Sequence, residues 1–184
     1  PERTDEVQAL RTWPADRQQA WLATMAQYFR DGEVGIEDPD ERDLATFVLV
    51  HTWRPFLLRW AADLRPLIED TAWQRSRCPA CGGQPDLAYL SAANGERHML
   101  CARCDTDWSV GRLGCAFCGN EDNKTYGYYS DEATAYRLYA CSACGRYLKT
   151  VDLRQALGER WLAVERVGTA GMDLSALQAG YRRA

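Results

Sequence analysis

The sequence has few of the features that mark enzymes or membrane proteins. Its 184 residues include only two histidines, and they contain no Ser/His/Asp constellation, phosphate-binding loop or dinucleotide fingerprint. No apolar run approaches the ~18 residues of a membrane span, and the first residues form neither a basic nor an apolar leader. The chain also begins at Pro1 without a Met, so we expect it to be cut from something longer. Without an export signal the expected compartment is the cytoplasm, and the candidate catalytic chemistry in the sequence is thin.

Positive charge is not in excess either. The formal net charge is −4, and between residues 71 and 150 nine Lys or Arg residues stand beside eight Asp or Glu residues. A protein that binds the phosphate backbone normally carries a basic stripe. The charge balance therefore argues against nucleic acid as the partner. A tandem zinc-ribbon nucleic-acid-binding protein is kept as an alternative, because four basic residues could cluster: Arg103, Arg112, Arg146 and Lys149.

Cysteine is plentiful, but only in one part of the chain. Disulfide scaffolds rarely show uniform CxxC pairing, and without an export signal the expected compartment is the reducing cytoplasm. The pattern therefore predicts two metal sites of four cysteines each. All eight cysteines form CxxC pairs between residues 78 and 144: Cys78/Cys81, Cys101/Cys104, Cys115/Cys118 and Cys141/Cys144.

An internal repeat in this region predicts how the pairs combine. In each copy a CxxC pair precedes a β-like run, a turn, a second β-like run and another CxxC pair. The loops between the pairs have 19 and 22 residues. The first site is therefore expected to use the cysteines within residues 78–104, and the second site those within residues 115–144. Other groupings stay open, but they break the symmetry of the repeat.

The spacing also predicts the chemistry of these sites. A CxxC turn directs two sulfurs toward one ion and a hairpin supplies the second pair, which gives a tetrahedral all-thiolate site for zinc or iron. Such a closed site has no open position for water or substrate, so hydrolytic metal catalysis is not expected. Metal binding would instead supply folding energy to hairpins that have little core. Gly82, Gly119 and Gly145 follow three of the pairs, and Asp105 follows the fourth.

The hydrophobic pattern predicts an α+β fold. Helical spacing dominates before residue 75 and returns in the tail as a short C-terminal helix, and the DTDW segment at 105–108 is interpreted as an exposed polar turn. Strands are predicted at 86–90, 97–101, 125–130, 135–140 and 146–151. We predict that the helical region packs on tandem rubredoxin-like or zinc-ribbon β modules, with four regions in all: a helical region at 1–75, metal modules at 76–110 and 111–151, and a helical tail at 152–184.

Three segments carry a recognisable order of motifs: RCPACGGQP (77–85), GERHMLCARCDTDWSVGRLGCAFCG (95–119) and CSACGRYLKTVDL (141–153). A Trp follows the second cysteine pair, an Arg precedes the third, and YLK follows the fourth. In this order the segments resemble the formate dehydrogenase accessory protein family, FdhE. TWRPFLLRWAADL and the terminal GYRR are also similar, so the likeness covers most of residues 40–184. The acidic helix that follows YLK in the family is only weakly represented.

The resemblance implies a function and a set of partners. It implies a cytoplasmic maturation factor, not an enzyme, which assists a respiratory formate dehydrogenase before export by the twin-arginine route. The partner would be the catalytic subunit of a molybdenum or tungsten formate dehydrogenase, and a homodimer is a further candidate. The resemblance also places two metal ions, iron or zinc, on the eight cysteines in rubredoxin-like centres. A rubredoxin-like electron carrier is the second alternative function.

Four residues near the cysteines are predicted to contribute to the partner surface. The hypothesis rests on their places in the repeat and in the family motifs. The alternative is that these side chains pack within the ribbons. The four residues are Trp108, Arg112, Tyr147 and Lys149.

Overall fold

The computed structural model consists of two compact units, Pro1–Arg59 and Trp60–Ala184. The four regions predicted from the sequence stay a prediction, as does the packing of the helical region on the ribbons. The structure describes residues 12, 14–31, 34–69, 72–130, 135–156 and 158–183.

The first unit is built from helices. Helix α1 spans Ala15–Asp31, and helix α2 spans Pro39–Leu64 and continues past the boundary of the unit. The side chain of Asp38 caps α2, because its Oδ1 accepts a hydrogen bond of 2.9 Å from the backbone N–H of Glu41. A small core holds the unit together, formed by Val34, Ala45 and Leu49 with Trp21, Tyr28 and Ile36 packed against them.

The second unit contains one six-stranded sheet. Its strand order is β3-β2-β1-β6-β5-β4, so each ribbon contributes three consecutive antiparallel strands. The two ribbons meet where β1 and β6 pair in parallel, with Ala88 opposite Thr150 and Leu90 opposite Asp152. The strands are β1 Pro85–Leu90, β2 Arg97–Cys101, β3 Asp107–Val110, β4 Tyr126–Ser130, β5 Tyr136–Cys141 and β6 Arg146–Asp152.

All five predicted strands are present, but the DTDW segment is not an exposed turn. Asp107 begins β3, and Trp108 is completely buried. Of the four residues in this segment, Asp105 and Thr106 lie before the strand, and Thr106 is also buried. The polar residue at the start of β3 is accommodated because the hydroxyl of Tyr89 donates a 2.8 Å hydrogen bond to Asp107. The prediction was wrong because the sequence shows the polar residues and not their partners.

The core of the sheet lies at the junction of the two ribbons. Leu87, Leu100 and Val151 are buried there and come from β1, β2 and β6. Partly buried side chains pack against this cluster, among them Tyr136 and Leu162. Burial of apolar area at the junction stabilises the pairing of the ribbons, at roughly 25 cal/mol per Å².

Two short helices follow the sheet. Helix α3 spans Leu162–Gly168 and helix α4 spans Ala170–Gln178. After α4 the chain returns to the sheet, where Arg182 forms a parallel bridge with Arg146 at the start of β6. The predicted α+β class is confirmed, with two short C-terminal helices in place of one. None of the helices within the described part of the chain is both long and apolar enough to cross a membrane.

Candidate metal centres

The first cluster brings together the four cysteines of the first ribbon. The Cys78 and Cys104 sulfurs lie 3.5 Å apart, and those of Cys81 and Cys101 lie 3.4 Å apart. Cys78, Cys101 and Cys104 are buried, and Cys81 is partly buried. All four Sγ atoms lie within 4.8 Å of one another. The cluster is therefore a compact set of four soft donors that is largely closed to solvent.

The second cluster repeats this arrangement with greater exposure. The sulfurs of Cys115 and Cys144 lie 3.8 Å apart, as do those of Cys118 and Cys141. Cys115 and Cys141 are buried, Cys144 is partly buried and Cys118 is exposed. The two ribbons thus group their cysteines as the repeat predicts, but they differ in how far solvent reaches the sulfurs.

The geometry of both clusters fits a tetrahedral metal ion. A zinc–sulfur bond of ~2.3 Å places neighbouring sulfurs of a tetrahedral site about 3.8 Å apart. The second cluster shows this separation, at 3.8 Å, and the first is a few tenths of an ångström tighter. All eight cysteines are free thiols rather than disulfides. The two clusters can therefore each hold one metal ion.

The turns after the cysteine pairs have left-handed backbone geometry. Gly82, Gly119 and Gly145 have φ of 69°, 73° and 68°. Asp105 occupies the fourth equivalent position with φ of 55°, and it has the only positive φ of a non-glycine residue in the part of the chain described. A residue with a Cβ adopts this conformation at a cost. The exception at Asp105 therefore calls for a compensating contact.

Hydrogen bonds within the first cluster lower the pKa of two thiols, Cys104 and Cys78. Hydrogen bonds from Cys101 and Cys78 lower the pKa of the Cys104 thiol, and the Thr106 hydroxyl lies 3.1 Å from its sulfur. The pKa of Cys101 is raised correspondingly, first because of its hydrogen bond with Cys104. The thiolate form is the one that binds a metal cation, so the lowered pKa values of these two cysteines favour metal binding.

The second cluster has a similar internal asymmetry. Burial acts to raise the pKa of Cys141, but hydrogen bonds from the Cys144 backbone and the Asn120 amide bring it to about 7. Asn120 Nδ2 lies 3.7 Å from the sulfur. Burial raises the pKa of Cys115 to about 12. Cys141 therefore loses its proton more readily than Cys115 in the same cluster.

The four residues predicted for a partner surface differ in exposure. Trp108 is completely buried and donates a 2.9 Å hydrogen bond from Nε1 to the carbonyl of Arg75. Tyr147 and Lys149 are buried in β6, whereas Arg112 is exposed. The side chains of the first three are buried, and those of Tyr147 and Lys149 hydrogen-bond to Asp173 in α4 rather than to the ribbons. Contact of these residues with a partner stays a prediction, and Arg112 is the one with direct access to it.

Two of the four basic residues that could form a nucleic-acid-binding surface are buried. Arg103 is 8% exposed and Lys149 is 3% exposed, so neither can join Arg112 and Arg146 in an exposed basic stripe. Arg146 instead places its guanidinium 5.6 Å from the ring of Phe117. These four residues therefore do not form the exposed basic cluster on which the nucleic-acid alternative was kept.

Arg97 is a structural residue whose role was not predicted. It is 1% exposed, and its guanidinium donates to the carbonyls of Arg112 and Gly114 at 2.6 and 3.0 Å. It also lies 4.9 Å from the ring of Tyr139 in the second ribbon. Arg97 thus positions the linker that leads to Cys115. It lies in the quoted segment that begins GERHML, but sequence alone does not distinguish a buried arginine from a surface one.

Arg166 is a second residue that was not predicted. It comes from α3, and its guanidinium contacts Asp86, Asp105 and the carbonyl of Cys101. Burial raises the pKa of Asp86, and the nearby Arg166 charge opposes that shift. Nothing in the local pattern of α3 signals this contact, because the partners lie 61 to 80 residues earlier in the chain.

The sequence of this chain is similar to those of known proteins. Residues 77–112 match the family model described as FdhE, central domain. The chain is 29% identical over 153 residues to a Protein FdhE homolog from Aquifex aeolicus, covering 81% of this chain and 52% of that protein. It is 31% identical over 148 residues to a Protein FdhE from Escherichia coli, covering 77% and 46% respectively. The chain thus spans about half the length of these curated relatives.

A solved structure shares the fold. The crystal structure of the FdhE protein from Pseudomonas aeruginosa matches with a TM-score of 0.56 at 20% identity, over 91% of this chain and 70% of that one. Fold and clusters together define a protein of tandem four-cysteine ribbons. Its resemblance to the FdhE family, predicted from the motifs, is confirmed.

Proposed function

We propose that this chain is an accessory factor, not an enzyme, that assists the assembly or activation of a respiratory formate dehydrogenase in the cytoplasm before export. Its partner is the catalytic subunit, which carries molybdenum or tungsten. The observation that carries the proposal is the pair of four-cysteine clusters on a sheet whose sequence and fold resemble those of FdhE proteins.

The proposal includes two metal ions, zinc or iron, each bound by four thiolates. Cys78, Cys81, Cys101 and Cys104 would hold the first. A site closed by four thiolates has no vacant position for water or substrate, which supports a structural role rather than hydrolysis. The metal would supply folding energy to the hairpins around it. The second set of ligands is Cys115, Cys118, Cys141 and Cys144.

The partner surface is proposed to include Arg112. This residue is exposed and precedes the second cluster by three positions, and its backbone carbonyl is held by Arg97. Leu113 beside it is 84% exposed. An exposed arginine next to an exposed apolar side chain, on a backbone held in place, is suited to protein recognition. Trp108, Tyr147 and Lys149 would support this surface from within.

The experiment is an anaerobic pull-down with metal analysis of the same preparation. The tagged chain is expected to retain the catalytic subunit and to contain two metal ions. Arg112→Ala should weaken retention and client activation while the metal content stays at two. Lys124→Ala is the matched control, because Lys124 is an exposed basic residue of the same sheet unit. If the catalytic subunit is not retained by the unmodified chain, the assignment fails. If Arg112→Ala and Lys124→Ala behave alike, the surface is elsewhere.

A rubredoxin-like electron carrier is the second candidate. The observation that favours it is the exposure of Cys118, which brings one sulfur of the second cluster to the surface. An iron-loaded chain with this function would be coloured and would bleach reversibly on reduction. A chain that purifies with zinc is colourless and excludes this candidate.

A further inference from the structure

The C-terminal segment 162–183, here called the clamp, contacts the loop that closes the first cluster. Arg166 donates from Nη2 to the carbonyl of Cys101 at 2.9 Å and from Nη1 to Asp105 Oδ1 at 2.7 Å. Its Nε lies 2.8 Å from Asp86 Oδ2. The side chain of Arg166 is only 15% exposed. One side chain of the clamp therefore joins three points around the second cysteine pair of the first ribbon.

Asp105 shows that this contact is built into the loop. The equivalent position after each of the other three cysteine pairs is a glycine with φ between 68° and 73°. Asp105 adopts φ of 55° there, in a region where a residue with a Cβ is strained. Glycine would satisfy the backbone, but it has no carboxylate to bind Arg166. The presence of Asp instead of Gly at this position is thus explained by the ion pair with Arg166 rather than by the backbone geometry of the turn.

The other end of the clamp contacts the equivalent loop of the second cluster. The backbone N–H of Arg182 donates to the carbonyl of Gly145 at 2.8 Å, and the carbonyl of Arg182 accepts from Tyr147 at 3.2 Å. The Arg182 side chain also approaches the carbonyl of Cys144, at 3.4 Å. The clamp therefore touches the second CxxC turn of both ribbons.

A buried polar network joins the two ends of the clamp. Lys149 is 3% exposed and donates from Nζ to the carbonyl of Arg166 at 3.2 Å and to Asp173 Oδ2 at 2.7 Å. Asp173 accepts a second hydrogen bond, of 2.8 Å, from the hydroxyl of Tyr147. Tyr147 and Lys149 lie in β6, which begins two residues after Cys144. The network is continuous from the Cys101 turn to the Cys144 turn.

We propose that the clamp couples the two four-cysteine centres, with Arg166 as a positioning residue of the first, so that metal binding at one centre favours metal binding at the other. This inference rests on the proposed binding of two metal ions and goes beyond it. Outer contacts of this kind hold metal ligands in orientation, and their loss typically costs 10- to 100-fold in metal affinity. Coupling between two binding sites is reciprocal. A metal ion at either centre would therefore order its own loop and, through the clamp, stabilise the loop of the other centre.

The test uses the zinc-loaded full chain and a readout that resolves the two centres. A chelator is added together with a thiol-alkylating reagent, and mass spectrometry follows labelling of the Cys81 and Cys118 peptides separately. Labelling of Cys81 reports loss of zinc from the first centre, and labelling of Cys118 reports loss from the second.

Three variants distinguish coupling between the two centres from a general loss of folding. Cys118→Ser empties the second centre, and we expect it to speed labelling of Cys81 at least about five-fold, the lower end of ordinary coupling. Arg166→Lys keeps the charge but replaces the planar fork of donors by a single ammonium nitrogen, and we expect labelling of Cys81 to rise about ten-fold. Asp105→Gly removes the carboxylate and relieves the backbone, so a folding defect is not expected, yet it should have the same effect as Arg166→Lys.

The decisive measurement combines Cys118→Ser with Asp105→Gly. If the clamp carries the coupling, Cys118→Ser no longer speeds labelling of Cys81 in the Asp105→Gly background. Arg160→Gln is the matched control, because Arg160 lies just before the clamp and pairs with Glu165 of the clamp without touching a cysteine turn in the structure as described. It should leave labelling unchanged.

Two results overturn the inference. One is labelling of Cys81 that does not respond to Cys118→Ser in the unmodified background, and the other is a response that persists unchanged in Asp105→Gly. The proposed function fails separately, through a different measurement: an unmodified chain that binds no metal, or that does not retain the formate dehydrogenase catalytic subunit.

Discussion

The guanidinium of Arg97, in the first ribbon, lies 3.0 Å from the hydroxyl of Tyr126, in the second. Arg97 is 1% exposed and also donates to backbone carbonyls of the linker between the ribbons. The two cysteine modules are therefore joined by a buried cation as well as by the parallel pairing of β1 with β6. Their mutual position depends on residues outside both clusters.

This contact predicts a large effect of Arg97→Leu. The substitution leaves the carbonyls of Arg112 and Gly114 without their donor, and each buried acceptor left unpaired costs about 1–3 kcal/mol. We expect the free energy of unfolding to fall by about 3 kcal/mol, measured by urea denaturation of the zinc-loaded chain. Arg112→Leu, at an exposed position, is the control and should change stability by less than about 0.5 kcal/mol. Equal effects of the two variants would contradict the role of Arg97.

The left-handed turns predict a difference between two glycines that both have open space around them. A Cβ at Gly145 or at Gly111 would meet no atom within 4 Å, but only Gly145 has a positive φ, of 68°. Gly145→Ala should therefore destabilise the chain by about 1–2 kcal/mol through backbone strain alone. Gly111→Ala should be neutral. Thermal unfolding measured under the same zinc concentration compares them, and a neutral Gly145→Ala would show that the turn relaxes at no cost.

The exposure of Cys118 predicts the order in which the centres lose metal. Cys118→Ser and Cys101→Ser should each reduce the metal content from two ions to one, measured by elemental analysis. In the unmodified chain a chelator should remove one ion first, and this should be the ion of the second centre, because solvent reaches Cys118 while Cys101 is fully buried. Release of both ions at one rate, or of the buried centre first, would contradict the expectation.

Asp107 predicts a pH dependence of stability. Its contact with His98, together with the hydrogen bond from Tyr89, lowers the pKa of the carboxyl to about 2, against an ordinary value near 3.9 in the unfolded chain. A lowered folded pKa means that the contribution is fully present above about pH 4 and is lost as the pH falls toward 2. At neutral pH it amounts to about 2 kcal/mol.

The variant Asp107→Asn isolates this effect. Its stability deficit relative to the unmodified chain should be present at pH 5 and should shrink as the pH falls from about 4 toward 2. Zinc content is measured at each pH, so that acid release of metal is distinguished from protonation of the carboxyl. A deficit that grows on acidification would have the opposite sign to the one expected.

Local patterns predicted much of this structure. The alternation of apolar residues located five strands, because each strand buries one face and its residues reveal this within a short window. Strand β3 was missed, since Asp105 and Asp107 make the segment polar while their partners come from elsewhere in the chain. The repeat of CxxC pairs predicted the grouping of cysteines, because a hairpin brings two nearby pairs together whatever surrounds it.

The YLK motif illustrates what local patterns leave open. Tyr147 and Lys149 were recognised as notable residues, and their side chains face Asp173 in α4. A polar side chain in a strand can lie at the surface or be buried in an ion pair. For these two residues the outcome depends on Asp173, which lies in a helix about 25 residues later in the chain.

By itself, the sequence determined two four-cysteine groupings, the ribbon strands and the α+β class, because each depends on residues that are close in the chain. The tertiary structure decided the parallel joining of β1 with β6, the burial of Arg97 and Lys149, and the contacts of Arg166 with the first cluster. These features pair groups separated by tens of residues. Which partners meet is therefore settled by the packing of the whole unit rather than by any local pattern.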